Sequence, residues 1–182
     1  MDNSSISNIE LSIKNTAWEL WRQHYFWLKE LLTSILCNFY DIHFVKQRLF
    51  DNVQDFINFF IKYYGYYNSK TLESLFKNNI SVTMKLMEDI KAGDTKSADA
   101  DRIEWYKNAD EIADFLSGVN RYWDKQEWQT LIYDHLKLIE NEAINRLNKQ
   151  CATLFVSNEQ IDNNILKLSN YTAYGIIRQF NI

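Results

Sequence analysis

Two of the three histidines in this chain lie at apolar positions, where an imidazole can bind a ligand or a metal ion. His24 lies in the stretch WRQHYFWLKE, among tryptophans, a tyrosine and a phenylalanine. His135 lies in the comparable stretch LIYDHLKLIE. Imidazole nitrogens accept and donate hydrogen bonds and also coordinate zinc, copper, iron and nickel. His43 falls early in a predicted helix, and we expect it at the surface.

Other polar side chains fall at inward positions of the same predicted helices. Glu142 and Arg146 follow His135, and their spacing of four residues allows an ion pair on one helix face. We predict a site in which the histidines contact a small ligand or metal ion, three asparagines orient it, and Glu142 with Arg146 closes one end. The predicted ligand-binding residues are His24, Asn52, Asn79, Asn108, His135, Glu142 and Arg146.

A transition metal is the cofactor that such residues could hold, with His24, His135 and Glu142 as its ligands. Two ligands from one helix to one ion are expected three or four residues apart. Glu142 comes seven residues after His135, which is about 10 Å along a helix. A metal would therefore need single ligands from separate helices, and a small organic ligand remains an equal alternative.

The spacing of apolar residues indicates that long helices carry these side chains. Between Ala17 and Ile35 the apolar residues recur every three or four positions, as on an amphipathic helix. Proline is absent, and the few glycines are isolated and are predicted to end helices. Glycines 65, 93 and 118 are predicted helix ends, and Asp41, Asp94, Asp124 and Ser157 are predicted caps.

The sequence therefore predicts an all-α fold, a single antiparallel up-and-down bundle of about six helices. We expect one domain over residues 1–182, with residues 1–8 as a flexible N-terminus. The predicted helices span 9–39, 42–64, 69–92, 96–117, 125–152 and 158–180.

A weak repeat of 55–56 residues links pairs of these helices. The segment LFDNVQDFINFF at 49–60 aligns without gaps with WYKNADEIADFL at 105–116, which pairs Asn52 with Asn108. His24, Asn79 and His135 follow one another at offsets of 55 and 56. All five polar residues fall about 18–24 Å from a helix end at the usual rise per residue. We therefore predict one polar layer at mid-height in the bundle.

Composition argues against several partners and compartments. The net charge is −4 and no basic block occurs, so nucleic acid is not an expected partner. The longest uncharged apolar-rich run has ten residues, which is too short to span a membrane, and the N-terminus does not resemble a signal peptide. We expect a cytoplasmic protein with Cys37 and Cys151 reduced and buried. The sequence is compatible with a homo-oligomer and does not determine the oligomeric state.

Two other classes of function compete with a binding protein. Buried polar groups can fix helix register without any ligand, and such a bundle would act through its surface, for example around Tyr63 to Tyr67. An enzyme would use His135 and Glu142 as acid and base, which requires a solvent-open cleft reaching both residues.

The chain also resembles a family of small, uncharacterised bacterial helical proteins, from about Trp18 to Phe180. The segments that carry this resemblance are LWRQHYFW, RLFDN, YYG, KAGD, WYKNADEIADFLS and DHLKLIENEA. The family pattern has histidine at the places of His24 and His135 and glutamate at that of Glu142. It often has histidine where this chain has Asn79, a departure that weakens the metal hypothesis because asparagine is a poor transition-metal donor.

The resemblance implies an all-helical fold and candidate positions, but no activity. Some family members are called acetylglutamate kinases. That activity implies an α/β fold with glycine-rich phosphate loops, and this chain has neither. A likeness to hemerythrin-like or ferritin-like bundles is one of architecture, and architecture does not define function.

Overall fold

A computed structural model describes residues 7–182, apart from the side chains of residues 151, 152 and 154–157. In this part of the chain the backbone forms α-helices and no β-strand, which confirms the predicted all-α class. The helices are α1 (Asn8–Cys37), α2 (Ile42–Ala92), α3 (Thr95–Val119), α4 (Lys125–Leu147) and α5 (Cys151–Phe180). The predicted flexible segment 1–8 and the side chain of the predicted cap Ser157 lie largely outside the described residues.

The prediction of about six helices is not confirmed, because residues 42–92 form one helical element, α2, which is interrupted only by a sharp kink at Gly65, where a helix end was predicted. Gly65 has φ 74° and ψ 174°, a conformation that is essentially restricted to glycine, and it kinks α2. Near the end of α2, Lys91 donates hydrogen bonds to the carbonyl of Ile35 and to Oδ1 of Asn38, next to the start of α2 at Ile42. Both ends of α2 therefore lie at one end of the bundle, and the chain reverses at Gly65.

Side-chain caps begin three of the helices. Ser7 accepts a hydrogen bond from the backbone of Glu10, and the predicted caps Asp94 and Asp124 accept equivalent bonds at the starts of α3 and α4. Such caps satisfy backbone N–H groups that have no partner within the helix. The prediction for Asp41 was wrong in detail, because its carboxylate accepts a hydrogen bond from Ser34 and makes no cap bond.

The helices pack side by side around one apolar core. Helix α1 contacts α2 and α5, α3 lies between α2 and α4, and α4 contacts α5. All five helices contribute to a connected cluster of buried apolar side chains. Edge-to-face aromatic pairs occur within it, such as Trp21 with Phe56 at 5.1 Å between ring centroids.

Gly175 lies inside α5, so the expectation that every glycine ends a helix was wrong. A Cβ atom at this position would lie 1.9 Å from Nε1 of Trp123. The indole of Trp123 donates to the carbonyl of Tyr171 at 2.9 Å, which fixes it against α5. Glycine is therefore required here for close packing rather than for a turn.

Two further expectations can be compared with the structure. Cys37 is exposed, so the prediction that it is buried was wrong, and the side chain of Cys151 lies outside the described residues. Among the described residues, no helix combines the length and apolar character that crossing a membrane would require.

Candidate functional site

His24 from α1 and His135 from α4 meet inside the bundle, with ring centroids 6.0 Å apart. Both are buried, and together with Asn79 of α2 they line a cavity of about 40 Å³. The rest of the lining is aliphatic or aromatic, with one polar group that has no partner among the described residues, the buried indole N–H of Trp128. It consists of Trp21, Phe76, Ile112, Leu116, Trp128, Ile132, Leu136 and Leu168.

Asn164 of α5 determines which nitrogen of His135 carries the proton. Its Nδ2 donates to the carbonyl of Leu131 at 3.0 Å, so its Oδ1 is turned toward the imidazole, 3.1 Å from Nδ1. An amide oxygen can only accept a hydrogen bond, so Nδ1 of His135 must be the donor. The neutral ring then has a bare lone pair on Nε2, and this atom is buried with no partner among the described residues.

Asn52 is placed next to His24 as Asn164 is placed next to His135. Its Nδ2 donates to the carbonyl of Leu20 at 3.2 Å. In the described part of the chain, Asn52 Oδ1 and His24 Nδ1 are both buried without a partner of good hydrogen-bond geometry, although the nearby Asn52 oxygen still raises the pKa of His24. The amide orientation therefore favours the same tautomer for His24, with the proton on Nδ1.

The arrangement occurs a third time with asparagine in place of histidine. Asn108 of α3 donates from Nδ2 to the carbonyl of Leu75 at 3.3 Å, and its Oδ1 accepts from Asn79 Nδ2 at 2.9 Å. In each case the bridging asparagine donates to the leucine four residues before the side chain that it orients. Asn52, Asn108 and Asn164 do not line the cavity, and they position the three residues that do.

Asn164 was missed in the sequence, although a signal for it exists. It follows Asn108 by 56 residues, the offset that separates Asn108 from Asn52. The segment IDNNILKLSNYT at 161–172 aligns without gaps with the two segments already compared. Apolar or aromatic residues recur at the aligned places Ile161, Ile165, Leu168 and Tyr171 although most identities differ, so the offset together with the apolar spacing could have identified Asn164.

Glu142 and Arg146 lie in a separate cluster. Glu142 is fully buried and accepts hydrogen bonds from Arg146 at 2.7 and 3.1 Å and from the hydroxyl of Tyr25 at 3.1 Å. Neither Glu142 nor Arg146 lines the cavity. Burial and the Glu142 carboxylate raise the pKa of Tyr25, so this hydroxyl stays protonated and continues to donate.

The three residues predicted as metal ligands do not meet at one point. Within the described residues, no group of three or more histidine, cysteine, aspartate or glutamate side chains is placed to hold a metal ion. The oxygens of Glu142 are already bound by Arg146 and Tyr25. Only His24 and His135 of the predicted set border the cavity.

Burial keeps both histidines neutral. Loss of hydration lowers the pKa of His24 to about 3, and the neighbouring His135 adds to this effect, while Asn52 opposes it. Loss of hydration likewise lowers the pKa of His135 to about 4, with Asn164 acting in the opposite direction. Both rings are therefore uncharged at pH 7 and present lone pairs rather than a positive charge.

No protein-family model, curated protein or solved structure matches this chain. Fold and site together define its class as a helical bundle with a buried histidine–asparagine layer around a small cavity. The resemblance to a bacterial helical family stays a prediction.

The lowered pKa values predict a loss of stability in mild acid. The unfolded chain, with histidine pKa near 6.5, binds protons before the folded chain does. The stabilisation is complete above pH 6.5 and is lost as the pH falls toward 4 for His135 and toward 3 for His24. The expected loss is about 2 kcal/mol per histidine between pH 7 and pH 5.

Urea unfolding at pH 7, 6 and 5 measures this effect. His135→Asn should reduce the loss of unfolding free energy by about 2 kcal/mol, because the titrating ring is gone. The exposed control His43→Asn should behave as the wild type. An unchanged pH dependence in His135→Asn would contradict the assignment.

Proposed function

We propose that this protein is a binding protein that holds one small ligand in the cavity bordered by His24, Asn79 and His135. The observation that supports it is the unpartnered Nε2 of His135 beside that cavity. Buried polar atoms nearly always have a partner, and leaving one without costs about 1–3 kcal/mol. A ligand that takes up the lone pair removes this cost.

The cavity limits the ligand to a very small species. Its volume of about 40 Å³ exceeds what one water needs, which is roughly 10–15 Å³ on the same measure. Pockets for drug-sized molecules are roughly 300–1,000 Å³. We therefore propose an occupant of only a few non-hydrogen atoms, or a single ion.

We also propose that the bundle is built from three copies of one helix pair, with the two arms of α2, residues 42–64 and 66–92, counted separately. The support is the recurring asparagine-to-leucine hydrogen bond, which spans 32, 33 and 33 residues in the three pairs. In this proposal Asn79 occupies the position of a third histidine.

The proposed equivalence of the three helix pairs can be tested by placing histidine at position 79. Asn79→His should leave the unfolding free energy within about 1 kcal/mol of the wild type, because Asn108 Oδ1 is ready to accept from its Nδ1. Leu75→His, one turn away and also half-buried, should cost about 2 kcal/mol or more, because no acceptor awaits its ring. Equal losses in urea unfolding would contradict the equivalence.

The binding function itself is tested by the mass of the folded protein. Untagged protein purified without chelator should show, in native mass spectrometry, an added mass that disappears on denaturation. Leu168→Phe should remove it, because Leu168 lines the cavity and the larger ring fills the space. Leu72→Phe, equally buried but outside the cavity lining, should keep it. Identical native and denatured masses for the wild type would contradict the proposal.

An interaction protein is the second candidate, and exposed aromatic residues favour it. Tyr40, between α1 and α2, is 97% exposed, and Phe44, in the first turn of α2, is 73% exposed. Within the patch predicted at Tyr63 to Tyr67, Tyr66 is 59% exposed and Tyr67 is 87% exposed, whereas Tyr63 packs against Phe180 at 5.4 Å between ring centroids. In this alternative the asparagine layer serves only to fix helix register.

The enzyme alternative gains no support from the geometry. His135 borders the cavity, whereas Glu142 is buried in the cluster with Tyr25 and Arg146. An acid–base pair must reach one substrate, and these two side chains belong to different surroundings.

A further inference from the structure

The two bridging asparagines select the ligand by the atoms that they leave free. Asn164 holds the proton of His135 on Nδ1, and Asn52 favours the same tautomer in His24. In both rings Nε2 can then only offer a lone pair. Metal-binding histidines typically donate their other N–H to an oxygen in this way, which fixes the tautomer.

The charges around the cavity restrict which cation could bind there. Among the described residues, the cavity lining contains two imidazoles, the neutral amide of Asn79 and otherwise aliphatic or aromatic side chains, with no carboxylate or thiol. Zinc normally requires four ligands, and calcium and magnesium require oxygen ligands. A divalent ion would also bring two uncompensated charges into an apolar interior, which is costly.

A singly charged ion with a full d shell fits these restrictions better. It brings half the charge, and imidazole is a suitable ligand for copper. The aromatic side chains of Trp21, Phe76 and Trp128 border the same space, and aromatic rings attract cations. The ring centroids of His24 and His135 are 6.0 Å apart, and both rings line this cavity.

We propose that the cavity binds one Cu(I) ion between Nε2 of His24 and Nε2 of His135. This inference rests on the proposed binding function and names its ligand. Asn52 and Asn164 are positioning residues, which hold the rings without touching the ion. The rival occupant is a single water that donates to both imidazoles.

Ag(I) serves as the probe, because it has the same charge and d-electron count and is stable in air. The titration uses the full chain carrying Cys37→Ser and Cys151→Ser, since thiolates bind soft ions at other places. Isothermal titration with a competing chelator should give one Ag(I) per chain. Zn²⁺ under the same conditions should give no saturable binding.

Matched variants locate the ion. His135→Asn and His24→Asn, made separately, should each weaken Ag(I) binding by at least about 100-fold, and the exposed control His43→Asn should not change it. Both buried histidines are substituted, in separate proteins, so that the test remains decisive if one of the two variants fails to fold. The chain already carries asparagine at the third position, so a folded protein is expected from both.

Several results would overturn the inference. They are the absence of one-site Ag(I) binding, equal binding of Zn²⁺, and unchanged binding in a folded His24→Asn or His135→Asn protein. If native mass spectrometry shows a retained small molecule while Ag(I) does not bind, the proposed binding function stands and the Cu(I) assignment fails. If neither is found, both fail.

Discussion

The hydrogen bond from an asparagine amide to a leucine carbonyl is the interaction on which the core of this bundle depends. It joins two helices, and it turns the amide oxygen toward a polar side chain one turn further along the partner helix. Each such bond contributes about 1 kcal/mol, and at Asn164 removal of the amide would also leave Nδ1 of His135 buried without its acceptor, at a larger cost. Three such hydrogen bonds fix the relative register of the helices, which apolar packing alone would not determine.

The same interaction determines the chemistry of the cavity. Because Oδ1 of Asn164 accepts from His135, the proton of the ring is on Nδ1 and a lone pair remains on Nε2. Burial then prevents that lone pair from taking a proton near neutral pH. Glu142 shows the contrasting case, because Arg146 and Tyr25 already bind its oxygens and it has no need of a ligand.

Helical spacing was sufficient to predict the class of fold and most of the polar layer. A period of 3.6 residues places His24 and His135 inward, and their distance from the turns places them at similar height. The position of Glu142 outside the cavity could not be predicted, because residues two turns apart on one helix face can still contact different neighbouring helices. Asn164 was hidden because few of its neighbours match those of Asn52 and Asn108.

Other features depend on the third dimension more directly. The kink at Gly65 was predicted as a helix end, since sequence alone does not tell whether helical hydrogen bonding resumes at once. The tautomers of the histidines depend on which way each asparagine amide is turned. That direction is decided by the carbonyls of Leu20 and Leu131, which belong to other helices than the asparagines.

Long-range ¹H–¹⁵N correlation spectra of the histidine side chains at pH 7 test the central claim most directly. They report for each ring which nitrogen carries hydrogen. We predict that His24 and His135 are both neutral, with hydrogen on Nδ1 and a bare Nε2. Hydrogen on Nε2 of His135, or a charged ring at either buried position, would contradict it.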